Sequence, residues 1–150
     1  MDIEVKELKA QPALCLHVRT SIDKLPQTIG DGYHKIGALM EELGEQPADV
    51  PYSAYSNMDM NDLAVELGFP TAKALEGKGD VVPGQTPEGK ALVTMYKGPY
   101  SGMEAVYNEI FAWMGERKLE PRGTFYEFYY NSPGEVPDDE LLTRIVIPVK

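Results

Sequence analysis

One carboxylate placed among aromatic rings is the feature of this sequence with the clearest chemistry. Residues 124 to 131 read Thr-Phe-Tyr-Glu-Phe-Tyr-Tyr-Asn, which surrounds Glu127 with five rings. Such aromatic-rich segments favour β-strands, where alternate side chains share a face, so Phe125, Glu127 and Tyr129 point to the same side. A carboxylate held away from water has to bind a proton, a cation or hydrogen-bond donors. The segment therefore predicts a site for a cationic ligand or for acid–base chemistry.

The sequence also allows a simpler role for Glu127. An outward glutamate on a half-covered strand would stay hydrated and pair with a basic residue such as Arg144 on the neighbouring strand. Both faces of the segment are apolar enough to be covered, so the phase of the strand is open. Either Tyr126 or Tyr129 can be the ring that faces a cavity. The choice depends on the elements that position this strand.

Composition and charge narrow the class of protein. The 150 residues carry a formal net charge of -10, and binding to phosphates requires clustered Lys and Arg, so direct nucleic-acid binding is not expected. A negative field attracts cations instead. No apolar run approaches the roughly 20 residues of a membrane span, and the N-terminus lacks the apolar core of a signal peptide. We therefore expect a cytoplasmic protein with no membrane partner. A single cysteine, Cys15, excludes an internal disulfide.

Periodicity predicts two main helices among short strands. Apolar residues recur every three or four positions from Leu25 to Leu43, and Gly44 is typical of the residue that ends a helix. A second helix contains Met103 and Met114 on the same kind of stripe. Alternating or aromatic runs predict strands at 3–8, 13–20, 51–57, 62–69, 80–82, 91–98, 124–131 and 143–147.

The second half of the chain repeats the plan of the first. Adding 78 to the numbering places the strand at 13–20 on 91–98, and it places apolar positions of the first helix on those of the second. The offset falls to 74 in the following hairpin, as a shorter second helix and a longer second loop require. With that offset, Ser53 matches Glu127 and Tyr55 matches Tyr129.

Two β-α-β-β units follow from this repeat. Repeat 1 covers about 1–70, a linker and edge covers 71–90, and repeat 2 covers about 79–150. One unit alone would expose an apolar sheet, so we expect both to pack into a single α+β domain over 1–150. The predicted architecture is an antiparallel sheet of duplicated units with two main helices and a ligand cleft between the repeats.

The repeat also predicts which side chains share the cleft with Glu127. Trp113 lies one step off the core stripe of the second helix, where the helix can overhang a cleft. Rings on opposite walls with a carboxylate at the base suit a flat cation, through cation–π attraction and charge pairing. Ordinary core packing of the same rings is the alternative. The predicted ligand-binding residues are Glu127, Tyr55, Tyr126, Tyr129, Trp113, Phe111 and Ser53.

Metal and cofactor chemistry is not expected. His17 and His34 lie on different predicted elements, and neither has a Cys or acidic partner at metal-ligand spacing. Enzyme chemistry, if the chain performs any, would depend on Glu127.

Several motifs, mostly in the second half, resemble those of one family. They are Lys97-Gly98-Pro99-Tyr100 before a helix with Tyr107 and Trp113, the aromatic-flanked Glu127 followed by Asn131-Ser132-Pro133-Gly134-Glu135-Val136-Pro137, and Glu140-Leu141-Leu142-Thr143 leading to Ile147-Pro148-Val149. With the duplicated β-α-β-β plan, they resemble the GyrI-like effector-binding domain over essentially the whole chain.

This resemblance implies a function as well as a fold. Members of the family hold lipophilic cations in a cleft between the repeats, where a glutamate corresponding to Glu127 meets the ligand among aromatic rings. They occur fused to helix-turn-helix regulators as drug sensors, or alone, and this chain looks like a stand-alone member. Some relatives are described as hydrolases of cyclopropane-bearing DNA alkylators, which would make Glu127 catalytic. Others are described as gyrase-inhibitory or toxin-protective proteins, which implies DNA gyrase or a regulator as a possible partner.

Overall fold

The computed structural model describes residues 2–150, which form one eight-stranded antiparallel sheet with two helices. The predicted α+β class is confirmed. The strands are β1 (Ile3–Leu8), β2 (Pro12–Thr20), β3 (Tyr52–Tyr55), β4 (Leu63–Pro70), β5 (Val81–Gln85), β6 (Gly89–Lys97), β7 (Phe125–Tyr129) and β8 (Leu142–Pro148). The helices are α1 (Leu25–Glu42) and α2 (Met103–Glu116), and short 3₁₀ turns lie at Tyr100–Gly102 and Asp138–Glu140.

The strand order shows how the two halves meet. It runs β1-β6-β8-β7-β3-β4-β2-β5, so β3 and β7 pair at the centre of the sheet. The first strand of each half pairs with a strand of the other half. In the sheet, β1 of the first half pairs with β6, and β5 of the second half pairs with β2. The starts of α1 and α2 differ by 103 − 25 = 78, and those of β1 and β5 by 81 − 3 = 78. These starts agree with the predicted offset, whereas the repeat boundaries themselves stay predictions.

Both helices pack on the same face of the sheet, which we call the helix face. Ile36, Leu39 and Met40 of α1 are buried against β2 and β4, as the apolar periodicity requires. Burying such a side chain contributes about 1.5–3 kcal/mol. Gly44 has a φ of 72°, a left-handed conformation that suits glycine after a helix end. Within residues 2–150, no helix has both the length and the apolar character needed to cross a bilayer.

The middle of the opposite face, which we call the inner face, is buried without a helix. Strands β1 and β2 lie six places apart in the sheet order. A flat sheet would separate them by about 29 Å, yet the three residues that join them span only about 14 Å. The sheet therefore curls until its halves approach each other. The two short connections also bind each other, because the Gln11 amide donates to Thr86 Oγ1 at 2.8 Å and the Thr86 amide donates to the Gln11 carbonyl at 2.9 Å.

Candidate functional site

Glu127 lies on the helix face of β7, at the seam between the halves. Its register partners are Ser53 on β3 and Ile145 on β8. The carboxylate accepts two hydrogen bonds from tyrosines, with Tyr107 donating to Oε2 at 2.7 Å and Tyr129 donating to Oε1 at 2.9 Å. One donor comes from α2 and the other from β7 itself. The carboxylate is thus fixed by hydroxyl groups in the middle of the sheet.

The expected alternative partner of Glu127 lies elsewhere. Arg144 is the register partner of Phe128, one residue away from Glu127, and its guanidinium lies 5.9 Å from the centre of the Phe128 ring on the inner face. Side chains of neighbouring residues in a strand point to opposite faces. The alternative of a Glu127–Arg144 ion pair is therefore wrong, and no basic side chain within residues 2–150 forms an ion pair with Glu127.

The environment of Glu127 changes its acidity. Burial removes water from the charged form and raises its pKa, and the two tyrosine hydrogen bonds lower the pKa by a smaller amount. The net pKa stays above the ordinary value of 4.5. A half-buried carboxylate that is costly to ionise gains from any cationic group that enters. The same property suits a group that accepts and returns a proton.

A chain of hydroxyl groups leads from Glu127 across the seam. The Ser53 oxygen lies 2.5 Å from the Tyr129 oxygen and 3.0 Å from the Tyr55 oxygen. Burial raises the pKa of Tyr55 to about 12, and the charge of Glu127 adds to the rise. The tyrosines therefore keep their protons and act as donors. The structure thus brings together four of the predicted site residues, Glu127, Tyr129, Ser53 and Tyr55.

Aromatic rings cover the carboxylate on the side of α2. The Tyr107 ring meets Phe125 edge-on with ring centres 6.3 Å apart, and Phe111 meets Phe125 at 5.8 Å. Tyr100, in the turn before α2, contacts the Tyr129 ring with ring centres 6.0 Å apart. Phe111 is 37% exposed, so the outer edge of this ring group is open to solvent.

Sequence reasoning missed three tyrosines at this site: Tyr107, Tyr33 and Tyr100. Tyr33, on α1, has a buried hydroxyl with no hydrogen-bond partner in the described part of the chain. Burial raises its pKa, and nearby Tyr55 and Glu127 raise it further. A signal was present in the sequence, because Tyr33 and Tyr107 occupy apolar stripe positions where a phenolic hydroxyl needs a partner.

Two predicted wall residues lie away from Glu127. Tyr126 points to the inner face, where its ring contacts those of Tyr52 and Phe128, so strand alternation separates it from the carboxylate. Trp113 packs on the core of the second half under the guanidinium of Arg117, which is 3.8 Å from the ring centre. The rings next to Glu127 contact one another, and in the described part of the chain none of them contacts the Trp113 ring. A ligand contact for Trp113 stays a prediction.

The donor set at the site is one carboxylate and several hydroxyl groups. Residues 2–150 bring no three side chains of His, Cys, Asp or Glu into metal-binding proximity. What the arrangement can do chemically is accept hydrogen bonds, pair with a cation, or move a proton through a carboxyl group.

Comparison with known proteins assigns the fold to a family. The model of the GyrI-like small molecule binding domain matches residues 1–150. This chain belongs to the GyrI-like family. The resemblance expected from the sequence motifs is thereby confirmed, and so is a small molecule as the class of partner. A search of curated proteins finds no match.

Solved structures share the GyrI-like fold at low sequence identity. The EcmrR C-terminal domain is 17% identical with a TM-score of 0.83, and the match covers 99% of this chain and 97% of that one. SAV2435 bound to tetraphenylphosphonium is 11% identical with a TM-score of 0.65, covering 100% and 94%. A hydrolase from Listeria innocua is 15% identical with a TM-score of 0.72, covering 99% and 91%. In an EcmrR–DNA complex the match has a TM-score of 0.85 and 15% identity, and it covers 99% of this chain but only 57% of the EcmrR chain.

Proposed function

We propose that this GyrI-like domain binds a lipophilic, aromatic cation with Glu127 as the counter-charge. The observation that carries the proposal is a carboxylate held by two tyrosine hydroxyls and surrounded by rings, with no basic side chain of residues 2–150 paired to it. An uncompensated charge in such a place is unfavourable for folding, which indicates a use in binding.

The neighbouring rings would supply the second part of the recognition. A cation next to the faces of Tyr107, Phe125 and Tyr129 gains cation–π attraction of about 0.5–2 kcal/mol per good contact. The buried hydroxyl of Tyr33, which no other group of residues 2–150 hydrogen-bonds, offers one further hydrogen bond to a polar group of the ligand. A tyrosine-rich wall has few rotatable bonds, so little side-chain entropy is lost when it closes on a ligand.

Binding at this position requires tyrosine side chains to move. Both oxygens of Glu127 already accept hydroxyl protons, so a cation in direct contact has to displace Tyr107, Tyr129 or both. Tyr129 can transfer its hydrogen bond to Ser53, which lies 2.5 Å away. Tyr107 lies on α2 beside the partly exposed Phe111, so we place the entry route along that helix.

One structural neighbour supports this ligand class, and another supports a regulatory setting. SAV2435 is a protein of the same fold whose structure holds tetraphenylphosphonium, a cation with four phenyl rings. The EcmrR domain belongs to a chain that also forms a DNA complex. By analogy, the domain described here would act as the ligand-sensing part of a regulatory system.

Tetraphenylphosphonium and tetraphenylborate provide a matched test, because they have the same shape and opposite charge. We expect the phosphonium to bind saturably and the borate to bind at least about tenfold more weakly, as measured by isothermal titration calorimetry. Phosphonium affinity should fall as the pH drops from about 8 to about 4, because protonation removes the counter-charge. The raised pKa of Glu127 makes this loss begin at a higher pH than for an exposed glutamate. Equal affinity for the two ions would contradict the proposal.

Hydrolysis of a strained electrophile is the second candidate function. It is favoured by the raised pKa of Glu127, which suits a group that removes a proton from water, and by tyrosines placed to orient a substrate. Mass spectrometry separates the two functions, because a cyclopropane-bearing alkylator gains one water molecule if it is hydrolysed and keeps its mass if it is only bound. A gyrase-binding role would use the acidic surface and not this site, and it stays a prediction.

A further inference from the structure

A second group of side chains forms a half-open cavity on the inner face, on the other side of the sheet from Glu127. Its floor and walls follow the strand register, with Tyr126, Ala54, Glu66 and His17 adjacent on four successive strands. The cavity has a volume of about 320 Å³. Ala54 has the smallest side chain of these four residues, so the cavity lies above it, between the ring of Tyr126 and the carboxylate of Glu66.

Glu66 is held in place by a buried network. Tyr52 is fully buried and donates its hydroxyl proton to Glu66 Oε2 at 2.7 Å, and Cys15 Sγ lies 3.2 Å from the same hydroxyl. Burial raises the pKa of Cys15 to about 12, so the thiol remains protonated and can donate to Tyr52. Gly68 leaves the space for the Tyr52 ring, because a Cβ there would lie 2.5 Å from Tyr52 Cζ. The core thus fixes one oxygen of a carboxylate that lines the cavity.

The second oxygen of Glu66, Oε1, accepts no hydrogen bond within residues 2–150, although it lies within ion-pair distance of a histidine. Its nearest basic group is His17 Nε2 at 3.9 Å from Oε1, which is beyond hydrogen-bond length. Arg19 also lines the cavity, but its guanidinium is engaged by Asp62 through two hydrogen bonds of 3.0 and 2.9 Å. Tyr126, on the opposite wall, is affected by the charge of Glu66. Burial, together with that negative charge, raises the pKa of the Tyr126 hydroxyl to about 12.

We propose that this cavity is a second binding site, for a small arylalkyl amine whose ammonium group pairs with Glu66 and whose ring packs on Tyr126. Tyr126 and Glu66 are two strands apart, a distance of about 10 Å between backbones, which suits an ammonium and one ring joined by a short linker. The volume lies at the small end of ligand sites. Tyr126 also borders a neighbouring cavity of about 500 Å³, which gives room for substituents on the ring.

Phenethylamine is the probe, and phenethyl alcohol is its uncharged control. In a titration followed by ¹⁵N–¹H NMR, we expect saturable amide shifts at His17, Ala54 and Glu66, with the alcohol binding at least about fivefold more weakly. Shifts at Tyr107 and Tyr129 with none at His17, Ala54 and Glu66 would overturn the proposal, because they would place the amine at the helix-face site alone.

Matched variants separate this site from the one at Glu127. Glu66→Gln keeps an oxygen to accept the Tyr52 proton and should weaken the binding that is reported by the amide shifts of His17 and Ala54 at least about fivefold. Glu127→Gln should leave the affinity derived from those shifts unchanged, whatever it does to binding at the helix-face site. Tyr126→Leu keeps the Glu66 network and removes the ring, so it should weaken binding about threefold even if Glu66→Gln does not fold. Unchanged affinity in Tyr126→Leu and in a folded Glu66→Gln would overturn the proposal. Loss of phosphonium binding in Glu127→Gln bears on the helix-face site alone.

Discussion

Glu127→Gln is expected to remove most of the affinity for tetraphenylphosphonium. The substitution keeps the size and one hydrogen-bond acceptor of the side chain but deletes the charge at the centre of the helix-face site. Losing a partly buried counter-charge should weaken binding at least about tenfold, which equals about 1.4 kcal/mol. Calorimetric titration at a pH of about 8, where the carboxylate is ionised, gives the affinity of both proteins.

The matched control for this variant is Glu120→Gln. Glu120 has a side chain that is 73% exposed and lies 3.7 Å from Lys150, so its removal changes net charge equally without touching the site. Its phosphonium affinity should equal that of the unchanged chain. The raised pKa of Glu127 means that its ionised form opposes folding at neutral pH, so Glu127→Gln should be at least as stable as the unchanged chain there. Equal losses in the two variants would show that the effect is long-range electrostatics and not contact with Glu127.

Gly68→Ala should destabilise the fold more than a typical glycine substitution. The new methyl group would lie within 2.6 Å of three atoms of the Tyr52 ring and hydroxyl. Tyr52 is fully buried and hydrogen-bonded to Cys15 and Glu66, so it has no room to retreat. Overpacking of this kind costs about 1–3 kcal/mol, and we expect the upper part of that range because the hydrogen bonds are also strained. Urea unfolding followed by intrinsic fluorescence measures the change.

Gly30→Ala is the comparison for Gly68→Ala. Gly30 lies within α1, and no atom apart from its chain neighbours and the adjoining helix backbone lies within 4 Å of the position that a new methyl group would take, so alanine there meets open space. Alanine in a helix interior is about 0.5–1 kcal/mol more favourable than glycine. The two variants should therefore move the free energy of unfolding in opposite directions. If Gly68→Ala unfolds at the same urea concentration as the unchanged chain, the tight contact on the inner face is not present in solution.

The elements of the fold were predictable because each half has clear local patterns. The apolar stripe of α1 and the alternation of β2 and β4 are set by burial on one face, and the structure places these elements within one or two residues of the prediction. The repeat alignment that matches Ser53 with Glu127 also agrees with the structure, because the two residues are register partners where β3 and β7 pair. Local pattern and internal repeat together located the carboxylate in the sheet.

The phase of β7 could not be predicted from the sequence. In an ordinary two-layer domain one face of a central strand is apolar and the other polar, which fixes the phase. Here the sheet curls, so the inner face of β7 is buried as well, and both Phe125 and Phe128 occupy apolar surroundings. That is why Tyr126 and Tyr129 were indistinguishable as wall residues. The exchange of β1 and β5 between halves is likewise a long-range pairing that no local pattern encodes.

The position of a bound lipophilic cation relative to Glu127 decides whether the helix-face site is the binding site. Intermolecular NOEs between the phenyl protons of tetraphenylphosphonium and the aromatic protons of the protein give this position. We predict NOEs to Tyr107, Phe125 and Tyr129, the rings around the carboxylate on the helix face. NOEs confined to Tyr126 and the inner face, or to surface residues, would contradict binding at Glu127.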